Sequence, residues 1–212
     1  MRSDNDTRFI LIRHAQSVAN DLGIVQGVGL DVPLTEKGRH QAELLARYLA
    51  NTRLDRLYAS KARRAIDTAA AILKYAPKIP YAELSELNER SKGGTEGMSK
   101  DDFALRYPEI IAAWGNEEDM RPPLGGENFE DVSRRVMPVL ESHAREYPGG
   151  NLAYVIHGNV IRAIIGTILG APYGRHPRIG QDYCSINSVR HDPKVRRWVI
   201  EYANHSCKPQ FE

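Results

Sequence analysis

The sequence predicts an α/β protein: a single three-layer domain with a mainly parallel central sheet and helices on both faces. Residues 9–12 are a short apolar run with the length and branching of a strand buried on both faces, and 54–60 and 151–156 read as a second and third strand. Each is followed by a longer stretch with helical apolar spacing, and strands that alternate with helices build parallel, covered sheets. Two of the three runs stop at a histidine, His14 and His157. Ligands of open α/β sheets bind at the carboxyl ends of strands.

Taken in order, residues 1–7 are polar and read as a flexible leader, with the domain proper over 8–212. The first strand ends at Arg13-His14, and Ser17 can cap a short helical turn. Gly23, Gly27 and Gly29 mark a loop that carries Gln26. Thr35 caps a helix to about residue 51, whose Ala42, Leu45, Ala46 and Leu49 form its core face. After the second strand, a helix over 62–75 is ended by Pro77. A short strand at 79–84 leads to a glycine-punctuated polar loop over 87–97. A helix over 99–114 breaks at Pro108, and a loop with Pro122, Pro123, Gly125 and Gly126 precedes a long amphipathic helix over 127–147. The third strand ends at His157, Gly158-Asn159 opens an apolar helix to about 169, and residues 185–190 and 197–202 form a last strand pair, turned at Asp192-Pro193.

The 212 residues suit one sizeable domain, or two small ones at most. With 42% hydrophobic and 26% charged residues, the composition is that of an ordinary globular protein. A net charge of +2 gives no case for nucleic acid or a membrane surface as partner. No apolar run nears the roughly 20 residues of a membrane span. Cys184 and Cys207 make no disulfide framework, so a reducing cytoplasm is the default location. A homodimer is compatible with all of this.

Parallel strand ends converge on one edge, which brings Arg13, His14, Arg64 and His157 within reach of one pocket. Two arginines and the helix N-terminus after His157 would hold a phosphoryl group. An imidazole among them can act as nucleophile while the cations neutralise the charge that builds up in transfer. Glu89, in the irregular loop, is a candidate proton donor.

The ordered motifs resemble the histidine phosphatase, or phosphoglycerate mutase-like, superfamily over nearly the whole chain. They are Arg13-His14-Ala15-Gln16 with Asn20; Asp31-x-Pro-Leu-Thr-x-x-Gly38; Ser60-x-x-x-Arg64-Ala65-x-x-Thr68-Ala69; Leu87-Asn88-Glu89-Arg90 with Gly93 and Gly97; Gly125-Gly126-Glu127; and His157-Gly158-Asn159. The resemblance implies that His14 becomes phosphorylated, that Arg13, Arg64 and His157 hold the phosphoryl oxygens with Asn20 and Gly158 assisting, and that Glu89 protonates the leaving oxygen. Gln26, Gly27 and Lys92 are further substrate-binding candidates. It implies no cofactor and no metal, and a small phosphorylated metabolite as substrate. Two departures stand out: Ala15 replaces a glycine, and Gln16 replaces an acid.

Within the superfamily the choice lies between mutase and phosphatase. The mutase branch carries an arginine pair after the tryptophan, whereas Trp114 here precedes Gly115-Asn116-Glu117-Glu118. Lys92 takes the place of a substrate-contacting tyrosine of that branch. Gly125-Gly126-Glu127 and Asp182-Tyr183-Cys184-Ser185-Ile186 resemble the phosphatase branch, which is favoured. A phospholigand-binding protein with a dead pocket should lack the nucleophile, an arginine or the acid, and all are present. A zinc site at His14 and His157 conflicts with the flanking arginines, which would repel a cation. His40, His143, His176, His191 and His205 are expected to be structural. Glu96 is read as a pocket-edge residue and the 117–119 acidic run as a solvated face. Glu127 is divided equally between a helix-terminal charge and a site role.

Overall fold

The computed structural model describes residues 5–195 and 197–206. Strand β1 (Thr7–Arg13) lies between β4 (Asn151–Ile156), parallel to it, and β5 (Ile186–Asp192), antiparallel to it. Strand β2 (Arg56–Ser60) runs parallel to both β4 and β3 (Tyr81–Leu84), and β6 (Arg197–His205) closes the other edge. The order is therefore β3-β2-β4-β1-β5-β6, four parallel strands extended by an antiparallel pair.

Alternation within β1 divides the core. Ile10 and Ile12 face helices α2 (Glu36–Leu49) and α3 (Arg63–Tyr75), among Leu45, Leu57 and Ile72. Phe9 and Leu11 face α6 (Phe129–Glu146) and α7 (Gly158–Ile168), among Val136, Leu140 and Ile161. Side chains along a strand point to opposite faces, so one apolar run serves both outer layers. The short helix α1 (Val18–Asp21) follows β1, and α4 (Lys100–Arg106) and α5 (Pro108–Gly115) meet at Pro108 as the sequence predicts.

The leader expectation needs correcting at its inner end. Thr7 is the first residue of β1, its hydroxyl donates to Tyr147 O at 2.9 Å, and buried Asp6 pairs with Arg190 at 2.6 Å. These long-range bonds fix a stretch that polarity alone marks as loose. Residues 1–4 and Cys207 lie outside the described residues.

Caps place the loops that matter. Ser17 accepts Asn20 N–H while Asn20 Oδ1 accepts Ser17 N–H, a reciprocal capping box. Thr35 Oγ1 accepts Gly38 N–H at 2.9 Å and caps α2. A Cβ at Gly38 would come within 2.0 Å of Gln16 O, so only glycine lets α2 begin this close to the segment after His14.

Candidate active site

His14 follows β1 and His157 follows β4, two adjacent parallel strands, so their rings meet edge to face at 5.1 Å. His14 Nδ1 lies 2.7 Å from Ala15 O. A carbonyl can only accept, so Nδ1 carries the proton and Nε2 keeps its lone pair. Burial, reinforced by the charges of Arg64 and Arg13, holds the His14 imidazole well below the usual histidine range. Burial and the same two arginines act likewise on His157, whose Nε2 sits 2.7 Å from Ser60 Oγ. Both rings are thereby kept neutral.

The arginines are positioned by backbone carbonyls. Arg13 Nη1 donates to Gln181 O at 2.5 Å, and its guanidinium lies 4.1 Å from the Tyr183 ring centroid. Arg64, 1% exposed in the first turn of α3, donates Nη2 to Gly27 O at 3.0 Å. Arg64 Nε and Nη1, Arg13 Nε and His157 Nδ1 are buried without a hydrogen-bond partner among the described residues. Buried donors of this kind are rare in folded proteins and point to a ligand that accepts from them. Gly158, the first residue of α7, packs against Arg13: a Cβ there would lie 3.3 Å from Arg13 Nε. Positive charge and helix N-terminus thus coincide.

Glu89 is 8% exposed and lines a cavity of about 190 Å³ together with Gly27, Asp31 and Lys61. Its Oε1 accepts Arg90 N–H at 2.7 Å, and Arg135 grips its carbonyl at 3.2 Å. Lys92 is half-buried, 5.8 Å over the Trp114 ring, and its ammonium is pushed well down by burial and by Arg90, with Glu89 opposing.

Some candidates take other parts. Gln26 spends both ends inside its loop, Oε1 accepting from Ser17 Oγ at 2.8 Å and Nε2 donating to Leu30 O at 3.2 Å. Both polar ends of its side chain are therefore partnered within the fold. Gly27 serves through its carbonyl, which orients Arg64. Asn20 Oδ1 is committed to the α1 cap, leaving its amide NH2 as the end able to donate to an oxyanion. Glu127 pairs with Arg135 at 2.8 Å and accepts Ser91 N–H at 2.9 Å, a structural tie. The 117–119 run is not merely solvated: Glu117 pairs with Arg175 and Arg178, and Asp119 accepts Phe129 and Glu130 N–H at the start of α6.

Ala15 is fully buried and its N–H donates to Thr68 Oγ1 at 3.1 Å. Gln16 Oε1 accepts the Thr35 hydroxyl at 2.9 Å, a contact an amide makes as well as an acid. Among the other histidines, His143 pairs with the Tyr154 hydroxyl, His176 packs on Phe129, His191 packs on Trp198 and His205 meets Tyr48.

Sequence reading missed Arg162, which lies four residues after Gly158 on α7 and whose guanidinium is pushed down by burial and Arg13, with Glu89 opposing. One helical turn of spacing was the available signal. It also missed Tyr183 as the platform under Arg13. Among the described residues no group of three His, Cys, Asp or Glu is arranged to hold a metal, and no helix is long and apolar enough to cross a membrane.

A mainly parallel sheet whose strand ends present two neutral imidazoles and two buried arginines with unpartnered N–H groups defines a phosphoryl-handling α/β protein. The model of the histidine phosphatase superfamily, branch 1, matches residues 9–205, and the chain belongs to that family. Phosphoserine phosphatase 1 of Hydrogenobacter thermophilus is 31% identical over 200 residues, 94% of this chain and 93% of that one. A 2,3-bisphosphoglycerate-dependent phosphoglycerate mutase of Gloeobacter violaceus is 35% identical, covering 86% and 85%. A solved mycobacterial glucosyl-3-phosphoglycerate phosphatase superposes with a TM-score of 0.85 at 26% identity, covering 95% of this chain and all of that one.

Proposed function

We propose that this protein hydrolyses the phosphate monoester of a small metabolite, without a metal, through a phosphohistidine at His14. Its family and its phosphatase relatives support a phosphomonoesterase. The observation that carries the chemistry is the set of buried nitrogens on Arg13, Arg64 and His157 that lack partners among the described residues, beside a neutral His14.

In the first half-reaction His14 Nε2 attacks phosphorus and the bond to the ester oxygen breaks. Glu89 gives that oxygen its proton, and the alcohol leaves. In the second, water attacks the phosphohistidine, Glu89 takes the proton, the N–P bond breaks, and inorganic phosphate departs. Arg13 and Arg64 supply fixed positive charge to the phosphoryl oxygens through both steps. Two guanidiniums thus do electrostatic work that metal ions do in other phosphoryl-transfer sites. We also place the protein in the cytoplasm, the default for a chain whose two cysteines make no disulfide framework.

Mutase relatives make phosphoglycerate mutase activity the alternative. Gly115 and Asn116 end α5 without a cation, and Glu117 beyond them is bound to Arg175, which argues for hydrolysis. Rapid quench with labelled substrate should trap an acid-labile adduct that His14→Ala lacks. A fully active His14→Ala protein would end this reading, and phosphoglycerate interconversion outrunning phosphate release would move it to the mutase.

A further inference from the structure

Glu96 gathers more backbone hydrogen bonds than any role at a pocket edge requires. Its Oε1 accepts Val28 N–H and Lys92 N–H, each at 3.0 Å. Its Oε2 accepts Gly29 N–H at 2.5 Å and Leu30 N–H at 3.2 Å. Three consecutive N–H groups converging on one carboxylate form an anion-binding nest, here occupied from within the chain. The carboxylate sits so close that a Cβ at Gly27 would fall 2.1 Å from Oε1.

The two segments it joins have separate duties. Residues 27–30 include the Gly27 carbonyl that orients Arg64. Residues 89–92 include Glu89, the acid. The acid segment is held on its other side by Arg135, which donates to Glu86 O and Glu89 O, and by Glu127, which accepts Ser91 N–H. Glu96 alone among these ties reaches across to the segment that steers Arg64.

We infer that Glu96 is a positioning residue that sets the distance between the phosphoryl-binding cation Arg64 and the proton donor Glu89. It touches neither reacting atom. It keeps the leaving oxygen under Glu89 once Arg64 has seized the phosphoryl group, an inference that rests on the phosphatase reading. Misplacement of about 1 Å can cost on the order of 10²-fold in rate. Glutamine is no substitute: both oxygens accept two N–H groups, so an amide NH2 would face two donors whichever way it turned.

The test has two arms. Single-turnover rates with an alkyl phosphate and with p-nitrophenyl phosphate read the acid, because the aryl group leaves with little protonation. Calorimetric binding of vanadate reads the Arg64 pocket without turnover. In Glu96→Ala the alkyl rate should fall at least tenfold more than the aryl rate, and vanadate should bind at least tenfold more weakly. Equal loss for both leaving groups, or unchanged vanadate affinity, overturns the coupling. Should Glu96→Ala fail to fold, Glu96→Gln, which keeps one oxygen, takes its place with the same expected split. A wild-type protein that releases no phosphate would sink the phosphatase reading, while the vanadate arm would still decide this one.

Discussion

His157 Nε2 lies 2.7 Å from Ser60 Oγ, a bond that joins the ends of neighbouring strands β4 and β2. Ser60 Oγ also accepts Ala62 N–H at 3.3 Å, so its own proton is free to point at the imidazole. That leaves the His157 proton on Nδ1, which has no hydrogen-bond partner among the described residues, where a phosphoryl oxygen can accept it. Ser60 thus chooses the tautomer of a residue 97 positions away.

Removing that choice should weaken phosphoryl binding. Ser60→Ala leaves a buried imidazole nitrogen unsatisfied, a loss of about 1–3 kcal/mol. Vanadate affinity should drop roughly five- to 150-fold by the same energies. Unchanged affinity in Ser60→Ala would mean that the tautomer is set elsewhere.

The acid limb of activity should sit below the ordinary histidine range. Burial first, and then the arginines, hold His14 and His157 neutral in the fold. Unfolded, both titrate near 6.5. Between the depressed folded value and 6.5 the unfolded chain binds more protons, so this stability is complete above about pH 6.5 and declines as pH falls. Each of the two contributes a slope approaching about 1.4 kcal/mol per pH unit in that window. Urea midpoints measured from pH 8 to pH 5 should fall on the acid side, while the rate of His14 phosphorylation stays level through pH 6.5. A rate that halves near pH 6.5 would show an ordinary, uncompressed imidazole.

Glu89→Gln keeps the side-chain shape and loses the proton. Phosphorylation of His14 by alkyl phosphates should slow by ~10²–10⁴-fold, and by p-nitrophenyl phosphate far less. If single-turnover rates fall equally, Glu89 only positions and the acid lies elsewhere.

Thr68→Val tests the floor under the segment after His14. Thr68 Oγ1 accepts Ala15 N–H at 3.1 Å and donates to Arg64 O at 2.7 Å, all of it buried. Valine matches the volume but strands that N–H, at about 1–3 kcal/mol. Chemical denaturation should show the loss, and an unchanged midpoint would mean that Ala15 finds another acceptor.

The frame was legible because its signals are local. Apolar period in β1, Ser17 and Thr35 at helix starts, and a break at Pro108 each depend on a few neighbouring residues. The pocket residues His14, Arg64 and His157 were legible because strand ends of a parallel sheet share an edge. Side chains on loops were not. Gln26, Glu96 and Glu127 are polar residues in glycine-rich or turn segments, and each is committed to backbone or side-chain partners that only the folded loops bring near. Composition gives such residues no direction, so the partners of Gln26 and the four N–H groups held by Glu96 show only in the fold.

The place of β1 in the sheet also governs when the protein can become an enzyme. Its two neighbours, β4 and β5, begin at residues 151 and 186, so the strand that carries His14 waits for most of the chain to be synthesised. Until then its Phe9–Ile12 run has no sheet to join, and pairing at such long separation is slow and exposed to aggregation. Truncation anywhere before β4 would therefore leave His14 made but unsupported.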